Sequence, residues 1–236
     1  MSALLRVASK ESLRGGDERV PALPCLTVMA GLIRSGKSTL LVNLLERRCF
    51  YRNAFQRVIY CSGSYLSDAT IKCIREDEAI LGIHTHEDLL RLGDLITALI
   101  AVCTAESGTP AEKQTCLVLD DCLGYIPAAR AALDNLGSKF RHLRISLFIS
   151  IQCFRACPLL IRLNMTNLFL WHTADEREVE KYTEELGGMF ENFAQAYRTA
   201  TAAPYTPLHV DKQRGVLRQG ISDIVLATDT KRPLKN

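Results

Sequence analysis

The octapeptide GLIRSGKS at residues 31–38 constrains this chain more than any other feature of its sequence. It fits the pattern GxxxxGK[ST] at every fixed position, after an apolar run of strand length at 25–30 and before a helical pattern at 38–48. In this arrangement the glycines let consecutive backbone N–H groups surround a phosphate, and the helix N-terminus adds a favourable dipole. The motif therefore predicts a phosphate-binding loop (P-loop) that holds a nucleoside triphosphate.

The residues of this loop have separate expected roles. Lys37 is expected to reach the β- and γ-phosphates, and the Ser38 hydroxyl is expected to bind Mg²⁺. The predicted ligands are therefore ATP and Mg²⁺. We expect nucleotide contacts along the whole loop and in the first helical turn: Gly31, Leu32, Ile33, Arg34, Ser35, Gly36, Lys37, Ser38 and Thr39.

Two adjacent acids end a second apolar run, CLVLDD at 116–121. Two carboxylates at a buried strand end are costly unless a cation or a reacting water uses them. We therefore assign Asp120 to the Mg²⁺ shell, and Asp121 to orienting and polarising the attacking water. A solvated acidic turn is the alternative interpretation.

A further apolar run at 145–151 leads to Gln152. In P-loop motors an extra strand lies between the P-loop strand and the acidic strand, and its terminal polar residue can hydrogen-bond to the γ-phosphate or the attacking water. Gln152 fits that role, with Ser150 as a second candidate. A surface amide is the alternative for Gln152.

ATP motors usually bring an arginine to the γ-phosphate, because a guanidinium spreads the charge of the transition state. Arg34 lies inside the loop and is the candidate from the same subunit. Arg162 or Arg141 is preferred for a neighbouring subunit, and Arg144 and Arg155 lie close to them in sequence. A solvated or DNA-facing role is the alternative for each of these arginines.

Strand-length apolar runs alternate with helical patterns along most of the chain. The predicted strands lie at 25–30, 57–61, 115–119, 145–151 and 168–171, and the predicted helices at 38–48, 86–105, 126–141, 158–164, 175–186 and 189–199. Because several of these strands are fully apolar, the pattern predicts an α/β fold whose mainly parallel sheet has helices on both faces. The segment 207–218 predicts a C-terminal β-hairpin. Ligands of such folds bind beyond the carboxyl ends of the strands, where all these motifs fall.

Length and composition suit one globular domain. The 236 residues allow a mobile N-terminal arm at 1–22, a P-loop ATPase domain at 23–220 and a C-terminal tail at 221–236. The net charge of +3 permits a nucleic-acid partner without arguing for one. Nine cysteines without a CxxC pair suggest buried thiols in a reducing compartment. We see no apolar run that predicts a transmembrane segment.

The order and spacing of several segments resemble one family. They are STLLVNLL at 38–45, FQRVIYCSGS at 55–64, LVLDD at 117–121, FRHLRISLFISIQ at 140–152, PLLIRLNMTNLFLW at 158–171 and HVDKQRGVLR at 209–218. Over roughly residues 24–220, the chain resembles the poxvirus-type genome-packaging ATPases of large DNA viruses. That family is similar to the FtsK and HerA translocases.

This resemblance implies an ASCE/RecA-like P-loop NTPase that works as a homo-oligomeric ring, a pentamer or a hexamer. The ring would thread double-stranded DNA and hydrolyse ATP between neighbouring subunits, with Arg162 as the arginine that acts in trans. The resemblance also implies a capsid or membrane portal partner, and a place in the host cytoplasm, at the viral assembly site or in the virion. Two departures stand out: Ile33 and Arg34 occupy positions that are often small or glycine in the family, and Asp121 stands where many relatives have Glu.

Other functions fit parts of the sequence. A helicase or a translocase unrelated to packaging is the main alternative, followed by a nucleotide kinase and by a non-enzymatic nucleotide switch. The paired acids and Gln152 argue for hydrolysis by water. Three basic clusters are candidates for DNA phosphates, with a solvated helix face as the alternative: Arg47, Arg48 and Arg52; Arg141, His142 and Arg144; and residues 212–218.

Overall fold

The computed structural model of the chain describes residues 18–47, 49–64, 80–221 and 223–227. Most of the N-terminal arm and of the C-terminal tail lie outside the described residues, and so does Arg48 of the first basic cluster. In the part of the chain that is described, no helix has the length and apolar character that crossing a membrane requires.

Nine strands within the described residues form one sheet. In chain order they are β1 (Leu26–Ala30), β2 (Arg57–Ser62), β3 (Ile80–His84), β4 (Thr115–Asp120), β5 (Ile145–Ile151), β6 (Asn167–Leu170), β7 (Leu208–Asp211), β8 (Val216–Gln219) and β9 (Asp223–Ala227). Across the sheet the order is β3-β2-β4-β5-β1-β6-β7-β8-β9. The six strands from β3 to β6 are parallel, and β7, β8 and β9 add an antiparallel edge. The mainly parallel sheet and the late hairpin are confirmed, and β5 lies between β1 and β4 as predicted.

Helices cover both faces of this sheet. They are α1 (Lys37–Glu46), α2 (His86–Leu89), α3 (Leu92–Glu106), α4 (Ile126–Lys139), α5 (Leu159–Asn164), α6 (Glu176–Leu186) and α7 (Phe193–Ala200). Alternate residues of β4 face opposite ways: Leu117 and Leu119 join the core cluster that includes α3 to α7, whereas Cys116 and Val118 join the cluster that includes α1. Since both faces are buried, the strand is apolar throughout.

The helix predicted at 86–105 is two helices. α2 ends at Leu89, and α3 begins at Leu92 after Arg91, whose φ of −112° and ψ of 28° are not helical. Leu89, Leu92 and Ile96 are all buried. The apolar spacing thus continues across the break, so periodicity alone could not reveal it.

Two strands have no counterpart in the sequence prediction. Among the described residues β3 pairs only with β2 and β9 only with β8, so these two strands form the edges of the described sheet. An edge strand has one hydrogen-bonded neighbour, and its sequence is therefore less constrained to be apolar on both faces. The interrupted run ILGIH of β3 fits this position.

Candidate nucleotide-binding site

The loop at 31–38 leaves β1 and enters α1 at the carboxyl edge of the parallel strands. Gly31 N donates to Ile151 O at 3.1 Å, which ties the start of the loop to the end of β5. A Cβ atom at Gly31 would lie 2.7 Å from Trp171 Cβ and 2.9 Å from Ser35 Oγ. Gly36 has φ 101°, a backbone conformation that residues with a side chain rarely adopt. Both glycines are therefore required, one by close packing and one by backbone conformation.

The outer residues of the loop face solvent. Leu32 is 55% exposed and Ile33 is 70% exposed, so two neighbouring apolar side chains of the loop lie at the surface. Arg34 is also exposed, and its φ of 62° lies in the left-handed region. A non-glycine residue in this region is strained, and such strain is concentrated at functional sites.

Lys37 lies folded over the loop. Its Nζ donates to Gly31 O at 2.6 Å and to Leu32 O at 2.7 Å, and the side chain is buried. Burial lowers the pKa of the Lys37 ammonium, and the negative charges of Asp120 and Asp121 oppose that shift. Carbonyls offset the burial of a positive charge less well than an anion does, so this arrangement favours an anion in the loop.

The two acids lie in different environments. Asp120 ends β4 and is 1% exposed; its Oδ2 accepts a hydrogen bond from the Tyr60 hydroxyl at 2.8 Å, and its buried Oδ1 has no hydrogen-bond partner within the described part of the chain. Asp121 has φ 54° and is exposed. Gln152 Nε2 donates to Asp121 Oδ1 at 3.0 Å. Asp120 is thus a fixed, buried carboxylate, whereas Asp121 is an exposed one that Gln152 orients.

The loop, the acids and Gln152 border a single cavity of about 530 Å³. Its lining is Ile33, Arg34, Gly36, Lys37, Ser38, Thr39, Ser64, Asp120, Asp121, Ser150, Gln152 and Tyr205. Of the predicted loop contacts, Gly31, Leu32 and Ser35 are not part of this lining, although Ser35 Oγ is buried and has no hydrogen-bond partner among the residues that the structure describes. The volume lies in the range of ligand pockets, which is about 300–1,000 Å³.

The candidate arginines are distributed unevenly. Arg34 lines the cavity, whereas Arg162 and Arg141 do not. Arg162 forms an ion pair with Glu185, and its Nε donates to Cys157 O at 3.1 Å. Arg141 is exposed and precedes β5, so it lies at the edge of the sheet opposite the cavity. A role for either residue in a neighbouring subunit stays a prediction.

Several residues around the cavity were not predicted from the sequence. Tyr60 holds Asp120. Gly63 follows β2 and packs so closely that a Cβ atom there would lie 2.8 Å from Asp121 O. The turn at 62–64 could have been found, because it ends a parallel strand at the same edge as the acids. Tyr205 carries no such signal, since it lies in a turn between α7 and β7.

The cavity residues fit Mg²⁺ and a triphosphate. Asp120 Oδ1 and Ser150 Oγ are buried and find no hydrogen-bond partner among the described residues, and both residues line the same cavity as Ser38, so oxygen ligands are available. The described residues contain no group of three or more His, Cys, Asp or Glu side chains that could hold a metal. A site with one carboxylate and one hydroxyl suits Mg²⁺, which commonly binds through one or two carboxylates together with substrate phosphates and water.

No protein-family model matches the chain, and no curated protein matches it in sequence. Solved structures resemble it in fold. The DNA-packaging ATPase B204 from Sulfolobus turreted icosahedral virus has a TM-score of 0.61 at 13% identity, over 84% of this chain and 97% of that one. The genome packaging NTPase B204 from Sulfolobus turreted icosahedral virus 2, in complex with ATP-gammaS, has a TM-score of 0.56 at 16% identity, over 83% and 96%.

A secretion ATPase is similar over a smaller part of its own length. The cytoplasmic domain of the Type VII secretion ATPase EccC from Thermomonospora curvata has a TM-score of 0.58 at 16% identity, over 87% of this chain and 26% of that one. Identities this low are evidence of fold alone. With the loop between β1 and α1, β5 inserted between β1 and β4, and the acids at the end of β4, the chain has the α/β fold of the P-loop NTPases.

Proposed function

We propose that this chain is an ATP-hydrolysing motor that translocates double-stranded DNA into a viral capsid during genome packaging. The observation that carries the proposal is the hydrogen bond from Gln152 to Asp121 at the cavity that also contains Lys37. A phosphate loop alone would serve a kinase or a switch protein equally well. An exposed carboxylate that is oriented by a polar side chain suits the activation of water, and therefore hydrolysis.

In this mechanism the loop, the two acids and Gln152 have separate tasks. The loop N–H groups and Lys37 bind the β- and γ-phosphates, for which the Lys37 ammonium leaves its two carbonyl partners. Ser38 and Asp120 hold Mg²⁺, which when bound offsets phosphate charge. Asp121 Oδ1 is occupied by Gln152, so Asp121 Oδ2 accepts the hydrogen bond from the attacking water.

The charge that develops on the γ-phosphate is stabilised by an arginine. Arg34 is the candidate within the subunit, because it lines the cavity and its side chain is exposed. Arg162 or Arg141 of a neighbouring subunit is the alternative. For Arg162, that role requires the ion pair with Glu185 to open.

The motor is proposed to be a ring of five or six identical subunits. The exposed side chains of Leu32 and Ile33 support this, because two neighbouring apolar side chains at the surface suit contact with a second copy. A capsid or membrane portal is the proposed partner of the ring. Its proposed place is the viral assembly site in the host cytoplasm, or the virion.

Contact with DNA is proposed for the basic cluster Arg141, His142 and Arg144. All three side chains are exposed, although Arg144 also pairs with Glu112. The hairpin cluster is less suitable, because Arg218 is buried and Arg214 pairs with Asp211. Phosphate contacts of this kind depend on charge and not on base sequence.

The fold likeness to a viral packaging ATPase supports packaging. The match to B204 has a TM-score of 0.61 over 84% of this chain and 97% of that one. Membership of the poxvirus-type packaging family is part of this proposal.

ATP hydrolysis with Mg²⁺, in the presence and absence of double-stranded DNA, tests the proposal. We expect DNA to stimulate hydrolysis, and the stimulation to fall steeply with salt. Asp121→Asn should lower the rate by about 100-fold or more, since it removes the group that polarises the water. The control is Asp94→Asn, a surface acid paired with Arg91, which should hydrolyse at the wild-type rate.

The outcomes separate the two halves of the proposal. Hydrolysis that is indifferent to DNA and to salt would refute the DNA motor and leave an ATPase of another kind. A fully active Asp121→Asn variant would refute the assigned mechanism. No hydrolysis under any condition would refute both.

A further inference from the structure

Of the described residues that line the cavity, Tyr205 is the one with an aromatic side chain. It is 75% exposed, and its φ of 62° places a non-glycine residue in the left-handed region. Trp171, which is almost fully buried, donates from Nε1 to Tyr205 O at 3.3 Å. The core therefore holds the backbone of Tyr205 in a strained conformation and leaves its ring at the cavity.

The ring lies next to the P-loop. A Cβ atom built at Gly36 would lie 3.8 Å from both Cβ and Cδ1 of Tyr205, and 3.7 Å from Trp171 Nε1. Gly36 directly precedes the helix whose first residues, Lys37 and Ser38, are assigned to the phosphates. Tyr205 is thus adjacent to any triphosphate that the loop holds.

The order of the strands gives the direction of the bound nucleotide. The acids follow β4 and Gln152 follows β5, both on one side of β1, whereas Tyr205 precedes β7, on the other side. The γ-phosphate must lie towards the acids, where water attacks it. The nucleoside must therefore extend towards β6 and β7, the side on which Tyr205 lies.

We propose that the ring of Tyr205 is the platform on which the base of the nucleotide stacks. This inference rests on the proposed nucleotide binding and adds the residue that holds the base. Base–aromatic stacking is tolerant of base identity, because every base has a π-face. Among the described residues of the lining, the only amide and carboxylate side chains belong to Asp120, Asp121 and Gln152, which lie at the opposite end. The site therefore distinguishes weakly between ATP and GTP.

Calorimetric titrations with Mg²⁺ separate base binding from phosphate binding. The probes are ATPγS, GTPγS and tripolyphosphate, and the variants are Tyr205→Ala, Tyr205→Phe and, as a control, Leu163→Ala. Leu163 is 64% exposed on α5 and does not line the cavity. Tripolyphosphate keeps the phosphates and lacks the base, so its binding also reports whether the loop of each variant is intact.

Tyr205→Ala should bind ATPγS roughly 10- to 100-fold more weakly, while its affinity for tripolyphosphate stays within about twofold of wild type. Tyr205→Phe and Leu163→Ala should bind all three probes like wild type. For the wild type, ATPγS and GTPγS should agree within about tenfold, since no base edge is read. These results together would support the platform.

Three results would overturn it: unchanged ATPγS affinity in Tyr205→Ala, an equal loss for ATPγS and tripolyphosphate, or strong rejection of GTPγS by the wild type. Wild-type protein that binds none of the three probes would refute nucleotide binding, and with it this inference. Tight, Tyr205-dependent binding of ATPγS without DNA-stimulated hydrolysis would refute the DNA motor but would still support Tyr205 as the stacking platform.

Discussion

Asp120 and Asp121 are neighbours in sequence, yet the backbone gives them opposite surroundings. Asp120 is still within β4, so its side chain is buried among the strands, where the Tyr60 hydroxyl holds one oxygen. Asp121 has a φ of 54°, and its exposed carboxylate accepts a hydrogen bond from the half-buried amide of Gln152. A metal ligand benefits from being fixed, and a group that orients water benefits from access to solvent. The assignment of the two roles follows from this difference.

Removal of the Tyr60 hydroxyl tests whether Asp120 needs its orienting partner. Tyr60→Phe should lower the apparent affinity for Mg²⁺ about 10-fold, because residues that orient metal ligands have effects of about 10- to 100-fold. The measurement is ATP hydrolysis as a function of Mg²⁺ concentration.

Tyr51→Phe is the matched control. Tyr51 is also buried and also donates a hydrogen bond, but its acceptor is the backbone oxygen of Pro21, at 2.6 Å, and not a carboxylate of the site. Its Mg²⁺ dependence should equal that of the wild type. The same shift in both variants would mean that Tyr60 acts through general stability and not through Asp120.

At the scale of elements, the segment after Gln152 is attached to α6 by one carboxylate. Glu178 is 4% exposed and accepts hydrogen bonds from Phe154 N, Cys153 Sγ and Arg155 Nε. Burial raises the pKa of Glu178, but these hydrogen bonds outweigh it and hold the pKa below its usual value. The position of Gln152 therefore depends on a helix that does not itself reach the cavity.

Glu178→Gln replaces one of the two acceptor oxygens with an NH2 group that can only donate, where three donors face the carboxylate. We expect a loss of about 2 kcal/mol in the free energy of unfolding, as for a hydrogen bond to a charged group. We also expect kcat to fall while KM for ATP stays unchanged, since Gln152 is displaced and the P-loop is not. Urea unfolding and steady-state hydrolysis measure these effects.

Glu184→Gln on the same helix is the control for this change. Glu184 pairs with Lys181 at the surface and is 70% exposed, so its loss should leave the free energy of unfolding close to that of the wild type. If Glu178→Gln were as stable and as active as Glu184→Gln, the attachment of this segment to α6 would affect neither the free energy of unfolding nor hydrolysis.

The elements that carry the chemistry could be predicted from the sequence, because they are local. The P-loop, the LVLD run before Asp121 and the strand before Gln152 each combine an apolar run with a polar end, and parallel strands bring such ends to one edge. Tyr205 and Glu178 could not be predicted in this way. Their positions depend on the pairing of β6 with β7 and on the packing of α6, which no short stretch of sequence encodes.

At the scale of the whole molecule, the sheet divides into two parts. The parallel strands carry the candidate site, whereas the antiparallel strands β7 to β9 enclose buried polar groups. His209 on β7 is fully buried, stacks on Phe169 at 4.2 Å and donates from Nε2 to Asn167 Oδ1 at 2.8 Å. The two parts are joined through β6, which carries both Phe169 and Asn167. A change in the charge of His209 therefore affects the stability of the whole sheet.

Burial is the main cause that lowers the pKa of His209 to about 3; the negative charge of Asp211 opposes the shift, and the positive charges of Arg218 and Arg214 add to it. The unfolded chain has the ordinary histidine pKa of about 6.5, so below that pH it binds a proton that the folded protein does not. Neutral His209 therefore contributes fully to the free energy of unfolding above pH 6.5, and this contribution is lost as the pH falls from 6.5 towards 3. Between pH 7 and pH 5 this loss amounts to about 2 kcal/mol.

His209→Gln keeps a donor near Asn167 and removes the titrating group. It should lower stability at pH 7.5, because the stacking on Phe169 is lost, but it should flatten the decline between pH 7 and pH 5 by about 2 kcal/mol relative to wild type. Urea unfolding at pH 7.5, 6 and 5 measures this slope. His172→Gln, at an exposed histidine, should keep the wild-type slope. Equal slopes for His209→Gln and wild type would show that buried His209 does not govern the acid sensitivity of the fold.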